Sequence, residues 1–207
     1  LGVIAGNHAA WSAVRALGAA IADATGAKLG FLSSGPNAAG AHLAGVLPHR
    51  ELGGEPRTNA GQDVATMLDS DLDAVLLVNV EPDRDIHATT DAVQKLAGQK
   101  FVIALTPFVS DALLESADLL LPIGTFAETS GTYVNVAGTW QSFSGVANPV
   151  GEARPCWKVL RVLGNLTDAE GFDYVTSEDV LAEFKVELGE VDSGAYEASG
   201  THAKANG

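Results

Sequence analysis

The first residues that invite chemistry are Gly2 and Gly6, which bracket a short apolar run just ahead of a helical pattern. A helix N-terminus entered through glycines can hold a phosphate, because its backbone N–H groups are free and the ligand can come close. A dinucleotide turn needs the spacing Gly-x-Gly-x-x-Gly, and a nucleoside-triphosphate turn needs Gly-x-x-x-x-Gly-Lys-Ser/Thr. Neither is present, so nicotinamide and nucleotide chemistry are not expected. His8, His42, His49, His87 and His202 form no His-x-x-x-His pair and read as polar surface or capping residues. Ser130-Gly131 and Ser144-Gly145 lie in no Gly-x-Ser-x-Gly elbow. Asp83 and Asp85 follow a strand pattern, where solvated loop charge accounts for them. Cys156 is the single cysteine. It excludes an internal disulfide, a cysteine-ligated iron–sulfur cluster and a structural zinc within this chain. Lying between Pro155 and Trp157 in a helical pattern, it reads as a buried thiol. No catalytic and no metal-ligating residue is expected.

What remains is a set of polar residues at the ends of candidate strands, and these depend on the elements that carry them. Val3–Ala5 reads as a strand, Gly6-Asn7 as a turn with Asn7 as helix N-cap, and Trp11 to Ile21 as a helix stopped by Gly26. Leu29–Ser33 reads as the next strand, giving a right-handed βαβ opening. A polar, glycine-rich stretch from Ser34 to Gly61 follows, long enough to line a pocket or touch a partner. A short helix is expected around Val64 to Leu68. Asp73–Val80 reads as a fully buried strand ended by Glu81-Pro82. A helix capped near Thr89 or Thr90 and stopped by Gly98 leads to a strand at Phe101–Thr106. A helix capped by Ser110 leads to a further strand at Asp118–Ile123. This alternation predicts an α/β fold with a doubly wound, mostly parallel sheet of Rossmann type. In such sheets ligands sit at the carboxyl ends of the strands. There, Gly6, Asn7, Ser33, Ser34, Asn79, Glu81 and Thr106 are the candidate pocket residues, and turn and capping preferences offer each a purely structural role.

Past Gly124, Thr132–Val136 and Thr139–Ser144 read as paired extended segments about Ala137-Gly138. Pro155 opens one helix and Thr176 or Ser177 caps the last. The expected organisation is an α/β domain over 1–150, packed helices over 151–188 and a polar tail over 189–207. Hydrophobic residues make up 46% of the 207, enough to bury a core, while aromatics are only 6%, which suits strands covered by helices. The net charge of −14 repels nucleic acid and anionic lipid surfaces; it reads first as solubility, with pairing to a basic partner subunit as the alternative. No apolar run approaches the ~20 residues that span a bilayer. An opening at Leu1, without methionine and already inside a strand pattern, reads as a piece of a longer chain.

One segment exceeds generic patterning: Glu128-x-x-Gly131-Thr132-x-x-Asn135-x-x-Gly138-x-x-Gln141. With Asp73–Val80 and Glu81-Pro82, and with the run from Gly151 through Arg154-Pro155-Cys156-Trp157 to Gly164, it resembles the signature region of the molybdopterin oxidoreductases. Within that family it is most similar to the large peripheral subunit of respiratory NADH:quinone oxidoreductase, complex I. The family often has Glu-Gly-Arg where this chain has Ala137-Gly138-Thr139, and the missing arginine removes a fixed anion contact. The resemblance implies a fragment of an iron–sulfur-carrying subunit that acts as a vestigial pterin-binding scaffold. It implies no cofactor in this part, iron–sulfur clusters upstream, and other peripheral-arm subunits as partners. The implied location is peripheral, on the cytoplasmic face of the bacterial inner membrane. The alternative it leaves open is the matching part of an active formate dehydrogenase or nitrate reductase.

Overall fold

The computed structural model describes residues 8–32, 35–87 and 89–189. The chain divides into two units, each assembled from segments distant in sequence.

The larger unit comprises Arg57–Gly131 and Phe143–Glu183. Its centre is a parallel sheet of β1 (Val75–Val78), β2 (Val102–Thr106) and β3 (Leu119–Pro122), with β2 in the middle. The register pairs Val78 with Leu105 and Thr106 with Pro122. Side chains alternate across a strand, so one face carries Val75, Leu77, Val102, Ala104 and Leu120. Those residues pack with Leu68 of α3 (Val64–Asp69), Leu96 of α5 (Ala92–Ala97) and Leu113 of α6 (Asp111–Ser116) to make the core. Between β1 and α5 a single turn, α4 (Pro82–Asp85), starts on Pro82, whose fixed φ and missing N–H suit the first helical position. The capping chemistry is local and follows the residue types. Asp63 Oδ1 accepts from Thr66 N–H at 2.9 Å and Ser110 Oγ from Leu113 N–H at 3.3 Å. The α/β expectation with a parallel sheet is met.

Several expected boundaries are corrected. The expected fully buried strand over Asp73–Val80 shrinks to four residues. Leu76 is 45% and Val78 39% exposed, because they lie on the sheet face opposite the core cluster of Leu68, Leu96 and Leu113. The cap near Thr89 or Thr90 is displaced. Asp91 holds the cap position without a side-chain cap bond, and its carboxylate instead accepts from the Thr89 hydroxyl. Towards the end of the unit come α7 (Cys156–Leu166), preceded by Pro155, and α8 (Ser177–Glu187). At the start of α8, Thr176 Oγ1 accepts from Asp179 N–H, and Asp179 Oδ2 accepts in return from the Thr176 and Val175 N–H groups.

The second unit comprises Leu1–Pro56, Thr132–Ser142 and Phe184–Gly207. Its main helix, α1 (Trp11–Thr25), ends as expected on Gly26 in the left-handed region, whose N–H donates to the Ala22 carbonyl. No strand forms over residues 29–32. Phe31 instead sets its ring edge-on to Trp11 at 6.1 Å, beneath the Arg15 guanidinium at 5.6 Å. This aromatic and cation–π packing holds the segment against α1 and away from a ladder. The expected strand Val3–Ala5, the cap Asn7, Ser33, Ser34 and the tail beyond Gly189 lie outside the described residues. The stretch expected as a long loop carries α2 (Ala38–Leu43), a 3₁₀ turn at Leu52–Gly54 and a bridge between Arg50 and Pro56. The extended pair is β4 (Gly131–Val134) with β5 (Trp140–Phe143). Asn37 Oδ1 fastens it to the start of α2 by accepting from Val134 N–H at 2.8 Å.

Candidate functional site

Among the described residues, the carboxyl ends of β1, β2 and β3 form the place where an open parallel sheet holds a ligand. Pairing of Val78 with Leu105 brings Asn79 and Thr106 side by side, and Asn79 N–H continues the ladder by donating to the Leu105 carbonyl at 2.8 Å. Asn79 adopts φ 53°, a left-handed conformation that asparagine tolerates better than most residues, and it is exposed. Glu81 stands two residues on. Its carboxylate pairs with Arg84 Nε at 3.2 Å and its N–H donates to Asp85 Oδ2 at 2.7 Å. Thr106 is buried, and its hydroxyl donates to the Phe108 carbonyl at 2.6 Å while accepting from Phe108 N–H at 3.2 Å. Three of the seven strand-end candidates therefore share one rim. The other four, Gly6, Asn7, Ser33 and Ser34, lie outside the described residues.

One feature of this rim was not anticipated from the sequence: β3 is prolonged by a bridge from Ile123 to Arg154, with Gly124 N–H donating to the Arg154 carbonyl at 2.9 Å. The available signal was Pro155, which drives its predecessor into an extended conformation. Arg154 donates from one guanidinium nitrogen to the Ala153 carbonyl at 2.8 Å.

A pterin dinucleotide would ask this rim for free N–H donors and fixed positive charge around a pyrophosphate. The groups found are differently disposed. The Thr106 hydroxyl is closed on its own turn, Arg84 is held by Glu81, and Asp83 and Asp85 add carboxylates beside them. Among the described residues this donor set does not match an anionic dinucleotide; Gly6, Asn7, Ser33 and Ser34 lie outside that comparison.

The signature residues are likewise engaged within the fold. Glu128 ends a 3₁₀ turn (Phe126–Glu128), and its Oε2 accepts from Thr125 N–H at 2.7 Å and from the Thr125 hydroxyl at 2.9 Å, forming a capping box. Asn135 Oδ1 accepts from the N–H groups of Ala137 and Thr139 at 2.9 and 3.0 Å, shaping the β4–β5 turn. Gly138 completes that turn at φ 81°, a conformation that disfavours any side chain.

The Thr125 hydrogen bonds hold the Glu128 carboxyl below its ordinary range. A carboxyl depressed in the folded state stabilises above its unfolded value of about 4.3, and that contribution disappears as pH falls through the lower folded value. Urea unfolding midpoints should therefore decline more steeply from pH 5 to about pH 3 in the parent than in Glu128→Gln. Equal pH slopes would show that the capping box contributes nothing.

Cys156 is half-buried at the start of α7, and burial pushes its thiol upward, away from the reactive thiolate. Among the described residues, no three His, Cys, Asp or Glu side chains gather in a metal-binding group. Nor is any described helix long and apolar enough to cross a membrane.

Two comparisons with known proteins place the chain in a family. Residues 1–166 match the molybdopterin oxidoreductase family. The chain is also similar to the mitochondrial NADH-ubiquinone oxidoreductase 78 kDa subunit of Candida albicans, 36% identical over 75 residues. That stretch takes in 36% of this chain and 10% of the relative's length. With the family match running through the parallel sheet, the signature turn and α7, the chain belongs to the molybdopterin oxidoreductase family.

Proposed function

We propose that this chain is part of the large, iron–sulfur-carrying peripheral subunit of an NADH:quinone oxidoreductase, and that it serves there as a vestigial pterin-binding scaffold. The observation that carries this reading is the state of the signature side chains. Glu128 and Asn135 are committed to backbone hydrogen bonds of their own turns, and Glu81 is committed to Arg84. The likeness to the 78 kDa subunit supports the choice of complex within the family. In the complete assembly electrons would pass from NADH to quinone through clusters held upstream, and this part would offer surface to the other peripheral-arm subunits. In a bacterium that places it on the cytoplasmic face of the inner membrane. The chain's own contribution is rigidity: a parallel core, closed turns and an acidic exterior.

Purifying the 207-residue chain and assaying iron, molybdenum and pterin tests this directly. Each is expected well below one equivalent per chain. A stoichiometric pterin would overturn the scaffold reading in favour of an active molybdopterin enzyme of the formate dehydrogenase or nitrate reductase type.

A further inference from the structure

Asparagine ahead of a helix ordinarily turns its side-chain oxygen onto the helix's own first N–H groups. Asn37 stands at that position before α2, yet its side chain makes no cap bond. Its Oδ1 accepts instead from Val134 N–H at 2.8 Å, 97 positions along the chain. Both residues belong to the same unit. Successive residues of a strand send their N–H groups to opposite sides. Asn135 N–H is spent across the ribbon on the Thr139 carbonyl, so the bond to Asn37 occupies the other side of β4, just before the signature turn.

Gly40 is what lets that amide lie where it does. It is buried in the first turn of α2, where no left-handed backbone calls for glycine. A Cβ built there would fall on Asn37 Oδ1 and come within 2.8 Å of its Cγ and 2.9 Å of its Nδ2. The asparagine side chain is the part free to move, and moving it takes Oδ1 away from Val134. Val134 is itself buried, so its N–H would lose its acceptor where water does not readily replace it.

We propose that Asn37 and Gly40 act as one latch, a pair of positioning residues that sets the signature ribbon. The glycine provides the space, and the asparagine holds the strand. This deepens the scaffold reading by naming what keeps the ribbon of Thr132, Asn135, Gly138 and Gln141 in one place. It rests on that reading only for the ribbon's use as scaffold. A failed latch would leave the iron, molybdenum and pterin assay untouched, and a stoichiometric pterin would leave the latch standing.

Hydrogen exchange of the 207-residue chain, followed amide by amide by NMR, tests it. Asn37→Leu keeps the size of the side chain but removes the acceptor, and should speed exchange at Val134 about ten-fold or more. Asn37→Asp keeps an acceptor oxygen and should hold exchange at Val134 within about three-fold of the parent. Gly40→Ala should also speed exchange at Val134 about ten-fold or more, although alanine favours a helix over glycine. Combining Asn37→Leu with Gly40→Ala should add little, since both act through one bond. In all these variants the amides of Ala104 and Leu105 in the parallel sheet should exchange as in the parent. The latch is overturned if Gly40→Ala leaves Val134 protected, or if Asn37→Asp exposes it as fully as Asn37→Leu. Acceleration that Ala104 and Leu105 share in Asn37→Leu also overturns it, because Asn37 then supports the whole fold rather than the ribbon. If Gly40→Ala does not fold, the contrast between Asn37→Leu and Asn37→Asp decides alone.

Discussion

Truncating Leu113 to alanine should lower the stability of the parallel-sheet unit by about 2–5 kcal/mol, the range found when a buried leucine leaves a cavity that its surroundings only partly refill. Leu113 is fully buried. It belongs to the cluster that joins α5 and α6 to β2 through Leu96, Val102 and Ala104, all of them buried as well. A site enclosed by two helices and a central strand has little freedom to collapse, which places the expectation toward the upper part of the range. Chemical unfolding should show a lower midpoint at unchanged slope. The neighbouring Leu114 is 62% exposed, and its truncation to alanine should change stability by no more than about 0.5 kcal/mol. If the two variants unfold at the same denaturant concentration, the assignment of α6's inner face is wrong.

Gly164→Ala should also destabilise, and here the sign is the informative part. Within an ordinary helix, replacing glycine by alanine gains up to about 1 kcal/mol. Gly164 lies inside α7, but a Cβ built there would come within 2.3 Å of Phe172 Cδ1 and 2.4 Å of its Cγ. Either the ring must leave its place or the helix must shift. Overpacking of this kind costs about 1–3 kcal/mol, more than the helical gain. The double variant Gly164→Ala, Phe172→Leu should recover part of the loss, because the smaller side chain vacates the contested space. A stabilised single variant would mean that Phe172 does not pack against this turn.

Both sites also indicate what a sequence can disclose. The strand cores and most helix limits were legible because their causes are local. Ser110 and Asp63 cap by bonding three residues ahead, and Gly26 ends α1 through its own backbone freedom. The burial of β1 was not legible. An apolar run of four residues reads the same whether one or both of its faces are covered, and only the packing neighbours decide. Leu29–Ser33 looked like a strand by composition, yet over its described part the contact of Phe31 with Trp11 and Arg15 prevailed over the ladder. The stretch around residues 38–56 hid a helix and a bridge behind its glycines and prolines. At the strand ends, the residue types were legible but not their engagement. That Asn79 adjoins Thr106 depends on a register between strands more than twenty residues apart. That the Thr106 hydroxyl is closed on Phe108 depends on a turn geometry that no spacing rule encodes.

The bond from Val134 to Asn37 joins residues separated by 97 positions within one unit. Ribosomes add about 5–20 residues per second, so the start of α2 waits roughly 5–20 s for the strand it will hold. Through that interval Asn37 has no strand to hold, and Leu17 and Ile21 of the preceding helix, more than half exposed even when folded, stand open to solvent. The vulnerable moment in this protein's life is thus its own synthesis. Holdase chaperones should be recruited to its early portion and let go once the signature turn has emerged.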